Sequence, residues 1–255
     1  IPHLPLQAPK KWVDYYVEKF GDEKPYYPAY AYYPNRYPKA TYAAMISYLD
    51  EIVGSLTQKL KDINQFENTI IMFTSDNGAT SLDQVDTSFF NSSAMFSDDN
   101  EMVKGSLFEG GLRVPSFVTW PRKIKEGSLT NHISSTQDFY ATILDLFKIK
   151  KPHQITGLSF LPTLLGKKQN KHEYLYWETN SRQGQQALRM DKWKAIRRNI
   201  ATGNKEIELF DLTLDSKEKN DVSKSNLDVI SQIEIIFKEA RTTPTLKNFY
   251  IKGLD

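Results

Sequence analysis

Apolar residues recur at helical spacing over one long stretch of the chain. Met45, Ile46, Leu49, Ile52, Val53, Leu56 and Leu60 share one face at a period near 3.6, which predicts an amphipathic helix from Thr41 to about Lys61. The period then breaks. Ile70-Ile71-Met72-Phe73 is a block without alternation, and it predicts a strand over 69–74 buried on both faces, as in a parallel sheet. Val114–Trp120 reads as a second buried strand that ends at Pro121. Residues 134–147 read as a helix with Phe139, Ile143, Leu144, Leu146 and Phe147 as core candidates. Between these elements, residues 79–103 show no period and read as a long loop. Glu109-Gly110-Gly111 reads as a turn.

The two ends of the chain differ in pattern. Pro2, Pro5 and Pro9 predict an extended N-terminal loop, and 10–20 a short helix. Residues 25–38 carry four prolines among six tyrosines and predict a stiff irregular loop. After about residue 166 the pieces EYLYWE, QQALRM, KWKAIRR and EIELFD predict an antiparallel meander. A last helix starts at Ser225, where Ser225 and Asp228 resemble a capping box, with Leu227, Ile230, Ile233, Ile236 and Phe237 on its apolar face. The expected fold class is therefore α/β over residues 1–168, followed by a small α+β domain with an antiparallel sheet over 169–255.

Composition narrows the function classes. A length of 255 residues allows a sizeable core, and a net charge of +2 argues against an obligate nucleic-acid partner. Cysteine is absent, which excludes disulfides, thiolate metal sites and a cysteine nucleophile in this chain. No apolar run reaches the roughly 18 residues of a membrane span. The opening IPHLPLQAP has neither a basic nor an apolar signal region, so no targeting segment is expected here, and it lacks an initiating Met. Aromatics are abundant, with 14 Tyr and 14 Phe, and tyrosine enrichment suits carbohydrate-facing or interface surfaces, as a weak signal.

The candidate chemistry starts at TSDNG, residues 74–78. Asp76 and Asn77 at the carboxyl end of a strand offer hard oxygen donors for Ca²⁺ or Mg²⁺, and Gly78 permits a sharp turn. Asp-Asn-Gly is equally ordinary turn chemistry, the commoner reading of this stretch taken alone. Lys104 places a positive charge on an anionic substrate, or is a solvated surface lysine. His3, in the Pro-rich loop, donates to an anion or leaving group, or is merely exposed. Arg113 clamps an anion, or pairs with Glu109 and holds the turn.

Taken in order, PHLPLQAP, YLDEIVG, FTSDNG, KGSLFEGGLRVP and a strand ending in WP resemble the type I sulfatase family, the arylsulfatase-like branch of the alkaline phosphatase superfamily. The resemblance continues through GLSFLPTLLG, EYLYWE, QQALRMDKWKAIR and ELFDLTLDSKEKNDV, and so covers nearly the whole chain. It implies the second half of an alkaline-phosphatase-like α/β/α sandwich with a small C-terminal domain. It implies Asp76 and Asn77 as Ca²⁺ ligands, and Lys104 and His3 as catalytic residues against the sulfate ester. The implied reaction is sulfate monoester hydrolysis on a sulfated carbohydrate or aryl sulfate, with a formylglycine nucleophile, in a periplasmic or secreted enzyme.

The departures from the family pattern are specific. No Cys/Ser-x-Pro-x-Arg motif is present, and the family's adjacent upstream aspartates are missing. The chain thus reads as the C-terminal part of a sulfatase, inactive alone, whose partner is its own N-terminal half. Ala79-Thr80-Ser81 stands where some relatives place a histidine. A phosphoesterase of the same superfamily and a non-catalytic module for sulfated glycans are the alternatives.

Overall fold

The computed structural model describes residues 1–255 except 29–32, 82–84, 94, 98 and 152–154. The chain folds as two compact units. The first comprises Ile1–Ile71, Thr80–Ser92 and Trp120–Arg122; the second comprises Met72–Ala79, Ser93–Thr119 and Lys123–Asp255.

In the first unit, α1 spans Lys10–Phe20 and α2 spans Pro38–Asp62. Pro38 stands in the first turn of α2, where a fixed φ and a missing N–H cost nothing. The helix therefore begins three residues before the predicted start at Thr41. The Glu23 carboxylate accepts from the backbone N–H of Lys39 at 2.7 Å and of Ala40 at 3.0 Å, which satisfies donors that every helix start leaves open. Ala40, Tyr42, Ala44 and Met45 of α2 are buried, whereas Ile46 and Leu56 are exposed. Tyr16 of α1 shares a hydrogen bond of 2.8 Å with Ser47 of α2. Leu4 and Leu6 pack with Tyr42, Met45 and Val85, so the Pro-rich N-terminal segment is anchored by its alternate leucines.

The loop over 25–38 is closed by a backbone bridge between Tyr26 and Asn35, while its residues 29–32 lie outside the described ones. Within the stretch predicted as a loop, Thr87–Phe90 forms a short helix, α3, because the Asp86 carboxylate accepts from Phe89 N at 2.9 Å.

The second unit contains two sheets. Strand β1, Ile71–Thr74, leads into this unit and pairs with β2, Ser116–Thr119, in a sheet of two strands. The expectation of strands buried on both faces needs correction. Strand β1 is half-buried along its length, and Phe117 of β2 is 56% exposed, stacked on Phe73 with ring centroids 4.7 Å apart. A sheet of two described strands cannot bury both faces of either.

Glu109–Leu112 forms one helical turn, α4, where a simple turn was expected. Helix α5 runs over Gln137–Leu146 and α6 over Leu161–Leu164. In α5 the buried positions are Asp138, Ala141, Thr142 and Leu144, while Phe147 is 68% exposed and Ile143 also faces outward. The buried face lies one position away from the apolar face, because Asp138 and Thr142 bond inward to backbone and side-chain groups.

The C-terminal sheet has strands β3 Leu175–Thr179, β4 Gln185–Met190, β5 Trp193–Arg197 and β6 Glu208–Asp211, in that order and antiparallel throughout. Helix α7, Leu227–Glu239, covers one face: Leu188, Ala195 and Leu209 pack with its Ile233 and Phe237. On the other face Ala187, Ile196 and Phe210 pack with Leu107 and Phe108. Burial of both faces explains why the strand pieces lack clean polar alternation. The capping box at Ser225 does not form. Ser225 closes a 3-10 turn, Asn226 occupies the cap position, and Leu227 is 68% exposed.

Candidate functional site

The end of β1 is held from both sides by backbone hydrogen bonds. Gly78 N donates to Gly111 O at 2.9 Å, and Lys104 N donates to Ala79 O at 2.9 Å. Within the second unit the fold thus places Asp76, Asn77 and Lys104 around one turn, although they are 28 positions apart in the chain at the extremes. The glycine at 78 is required for a reason other than a sharp turn. A Cβ there would sit 1.9 Å from Gly110 O, so only glycine lets α4 approach this closely. Gly105 takes φ of +85°, the left-handed region open to glycine, and so turns the chain just after Lys104.

Asp76 is exposed, and Asn77 is half-buried. Ser75 Oγ donates to Asn77 O at 2.9 Å, and Asn77 Nδ2 donates to Asp76 Oδ1. Asn77 Oδ1 is buried and has no hydrogen-bond donor. An orphaned amide oxygen beside a carboxylate fits a hard cation, which accepts lone pairs and needs no proton. Lys104 is half-buried, and its ammonium meets no carboxylate among the described residues. His3 stands in the first unit and is exposed; its Nδ1–H donates to Leu4 O at 2.8 Å, which leaves Nε2 as the atom that exchanges protons. Arg113 takes the second of its two readings: Nη1 lies 3.8 Å from Glu109, and the guanidinium sits 4.6 Å from the Phe96 ring.

Beneath the turn lies an ionic cluster that the sequence did not reveal. Lys194 of β5 is fully buried, with Nζ 2.9 Å from Glu109 Oε1 and 3.5 Å from Glu218 Oε1. Glu218 Oε2 accepts from Glu109 N at 2.6 Å, at the start of α4. Arg189 lies directly across the ladder from Lys194, and its Nη1 is 3.5 Å from Glu109 Oε2. Like charges opposite each other in a sheet repel, and here Glu109 lies between them. Burial opposes ionisation of Glu109, but Lys194, Arg189 and Arg113 outweigh it and hold the carboxyl below its usual value. Burial pushes Glu218 up to about 7, with Glu109 adding to the rise and Lys194 opposing it. In the sequence Lys194 sits in an unremarkable strand and Glu218 in a charged loop, so no local signal marks either.

The raised Glu218 value has a sign in stability. The folded state holds its proton between pH 4.5 and about 7, whereas the unfolded chain releases it. The stabilisation is complete below 4.5 and is lost as pH rises through 7. Glu218→Gln is expected to remove a fall of up to roughly 3 kcal/mol across that window. Urea midpoints measured from pH 4.5 to 8 check this, and an unchanged slope in the variant would show that Glu218 titrates elsewhere.

Comparisons with known proteins place the chain in a family. A family model described as Sulfatase matches residues 2–149, and one described as N-sulphoglucosamine sulphohydrolase, C-terminal, matches residues 101–242. The uncharacterized sulfatase YdeN of Escherichia coli is 32% identical over 182 residues, covering 70% of this chain and 28% of that protein. The N-acetylgalactosamine-6-sulfatase of Homo sapiens is 30% identical over 129 residues, covering 50% of this chain and 24% of that protein. The solved structure of Ps i-CgsB in complex with k-i-k-neocarrahexaose matches with a TM-score of 0.73 at 29% identity, covering 94% of this chain and 48% of that one. The chain thus spans about half of that structure, and the matched stretches are under a third of the two curated relatives. The α/β fold class is the one this solved structure shares. Because the first model spans more than half of the 255 residues and contains the turn that carries Asp76, Asn77 and Lys104, the chain belongs to the sulfatase family.

Proposed function

We propose that this chain is part of an enzyme that hydrolyses sulfate monoesters on sulfated carbohydrates. The observation that carries the reading is the turn itself: an orphaned Asn77 Oδ1 beside the Asp76 carboxylate, with Lys104, which meets no carboxylate among the described residues, tied to the same backbone. Asp76 and Asn77 would hold the cation, Ca²⁺ by the family resemblance. They supply fewer than the about six to eight oxygens that calcium takes. Among the described residues no three His, Cys, Asp or Glu gather as a metal shell. The remaining ligands and the formylglycine nucleophile are therefore assigned to the family's N-terminal half, the partner of this chain. When held there by Asp76 and Asn77, a cation would supply Lewis-acid polarisation of the sulfate oxygens.

This chain's own residues do the rest. Lys104 neutralises negative charge on the sulfate, most strongly where charge builds up in the transition state. His3, with Nδ1 engaged by Leu4 O, passes a proton from Nε2 to the leaving oxygen. The exposed Phe117 face of the two-stranded sheet is apolar surface for the N-terminal half to cover. Alone, the chain is expected to be inactive. The saccharide class follows the relatives, one named for N-acetylgalactosamine 6-sulfate and one solved with neocarrahexaose. A periplasmic or secreted location follows the same resemblance, and no helix of the described residues is long and apolar enough to cross a membrane.

Asp76→Ala, made in the enzyme with its nucleophile-bearing half, tests the reading. Calcium affinity, by calorimetry, and turnover of an aryl sulfate should fall together. Unchanged calcium affinity returns the stretch to an ordinary turn. Faster turnover of an aryl phosphate than of the sulfate identifies a phosphoesterase instead, and saccharide binding without turnover identifies a binding module.

A further inference from the structure

A cavity of about 620 Å³ opens in the second unit between the loop at 123–132 and the segment at 163–171. Lys123, Lys125, Lys167 and Lys171 line it together with His132, and among the described residues no aspartate or glutamate does. All four lysines are exposed, and none is ion-paired among the described residues. An exposed lysine is usually just a solvated charge. Such faces commonly interleave carboxylates, as on α1, where Lys10 lies 2.6 Å from Asp14. Four ammonium groups with no ion-pair partner among the described residues, gathered on one concave surface, create a local positive potential that favours an anion.

Both walls are fixed in advance. Asp138 is fully buried, and its carboxylate accepts from Ser135 N and Leu158 N, each at 2.8 Å, and from His172 Nε2 at 2.9 Å. One carboxylate thus ties the segment that follows the first wall to both ends of the second. Gln169 Oε1 accepts from Thr163 N at 3.1 Å, and its Nε2 donates to Ser159 O at 2.9 Å, which closes the second wall on itself. His132 lines the cavity with Nε2 buried and without a partner. Burial lowers its basicity against the opposing pull of Asp138. A basic concavity whose walls are held by these hydrogen bonds needs little reordering to bind an anion.

We propose that this cavity binds the sulfate groups of a polyanionic saccharide. Its volume is that of a small-ligand site. Lysine suits a tetrahedral oxyanion as a point charge. Among the described residues no Phe, Tyr or Trp lines the cavity, so it lacks the stacking platform that single-stranded nucleic acid uses. Ser128, Thr130, Asn131 and Thr163 supply the hydroxyl and amide groups that meet sugar hydroxyls. Lys104 takes no part, so this site and the turn at Asp76 are separable by experiment.

The test uses the full chain carrying Lys104→Ala, which disables the anion contact at the turn. Calorimetric titrations use a heparin-derived hexasaccharide, inorganic sulfate and a 12-nucleotide single-stranded DNA as probes. The hexasaccharide should bind with and without Lys104→Ala, and more weakly as salt rises. Lys123→Glu with Lys167→Glu should weaken it by about tenfold or more, against less than about twofold for the control pair Lys24→Glu with Lys59→Glu. All four positions are exposed, so both pairs should keep the parent melting temperature. The proposal is overturned if both pairs weaken binding equally, or if Lys104→Ala alone abolishes it. DNA bound as tightly as the hexasaccharide would overturn it in favour of a nucleic-acid surface. Binding of inorganic sulfate alone would overturn it in favour of an ion site.

Discussion

Lys104→Ala is expected to lower turnover of an aryl sulfate by about 10²–10³ in the complete enzyme, the usual cost of losing one positioned electrostatic donor. The Lys104 backbone is pinned to Ala79 O at 2.9 Å, so its ammonium starts from a fixed point beside the Asp76–Asn77 turn. No carboxylate among the described residues neutralises it, and its full charge is available to the substrate. The loss should appear in kcat/KM, with the larger part in kcat if the charge acts mainly on the transition state. Lys104→Arg should recover little, because a planar fork does not replace a compact charge on a short reach. Stability should hardly change, since among the described residues the side chain has no ion-pair partner to lose. Parent-level turnover in Lys104→Ala would remove this residue from the site.

Lys194→Met should cost about 3–5 kcal/mol, the usual penalty for removing one partner of a buried ionic group. Glu109 and Glu218 would stay buried with their central cation gone, and only Arg189 at 3.5 Å and Arg113 at 3.8 Å would remain beside Glu109. The deficit should shrink at pH 5, where Glu218 is protonated. Adding Glu218→Gln should likewise restore part of the loss. The damage should reach the turn, because Glu109 opens α4 and Gly111 of α4 accepts from Gly78 N. Urea midpoints measure the first effect, and hydrogen exchange of the Gly78 amide measures the second. A midpoint within about 0.5 kcal/mol of the parent would show that the cluster contributes no net stability.

The sequence alone determined the elements whose apolar period is long or sharply bounded. Helices α1 and α2, the strand entering the Asp76 turn, and the four-stranded C-terminal meander were legible because local periodicity and Pro or Gly boundaries act over a few residues. The chemistry of Asp76-Asn77-Gly78 was legible as oxygen donors, and family resemblance linked it to Lys104 and His3. Only the tertiary structure decided which side chains face inward. Phe147 and Leu227 lie on predicted core faces yet are exposed, while Asp138 and Lys194 are fully buried. A charge can be buried where partners from distant parts of the chain converge on it. Ser135, Leu158 and His172 do so for Asp138, and Glu109 and Glu218 for Lys194. Such partners carry no mark in the local pattern, because hydrophobic period reports which residues prefer to leave water, whereas the burial of a charge depends on what the fold brings within about 3 Å of it.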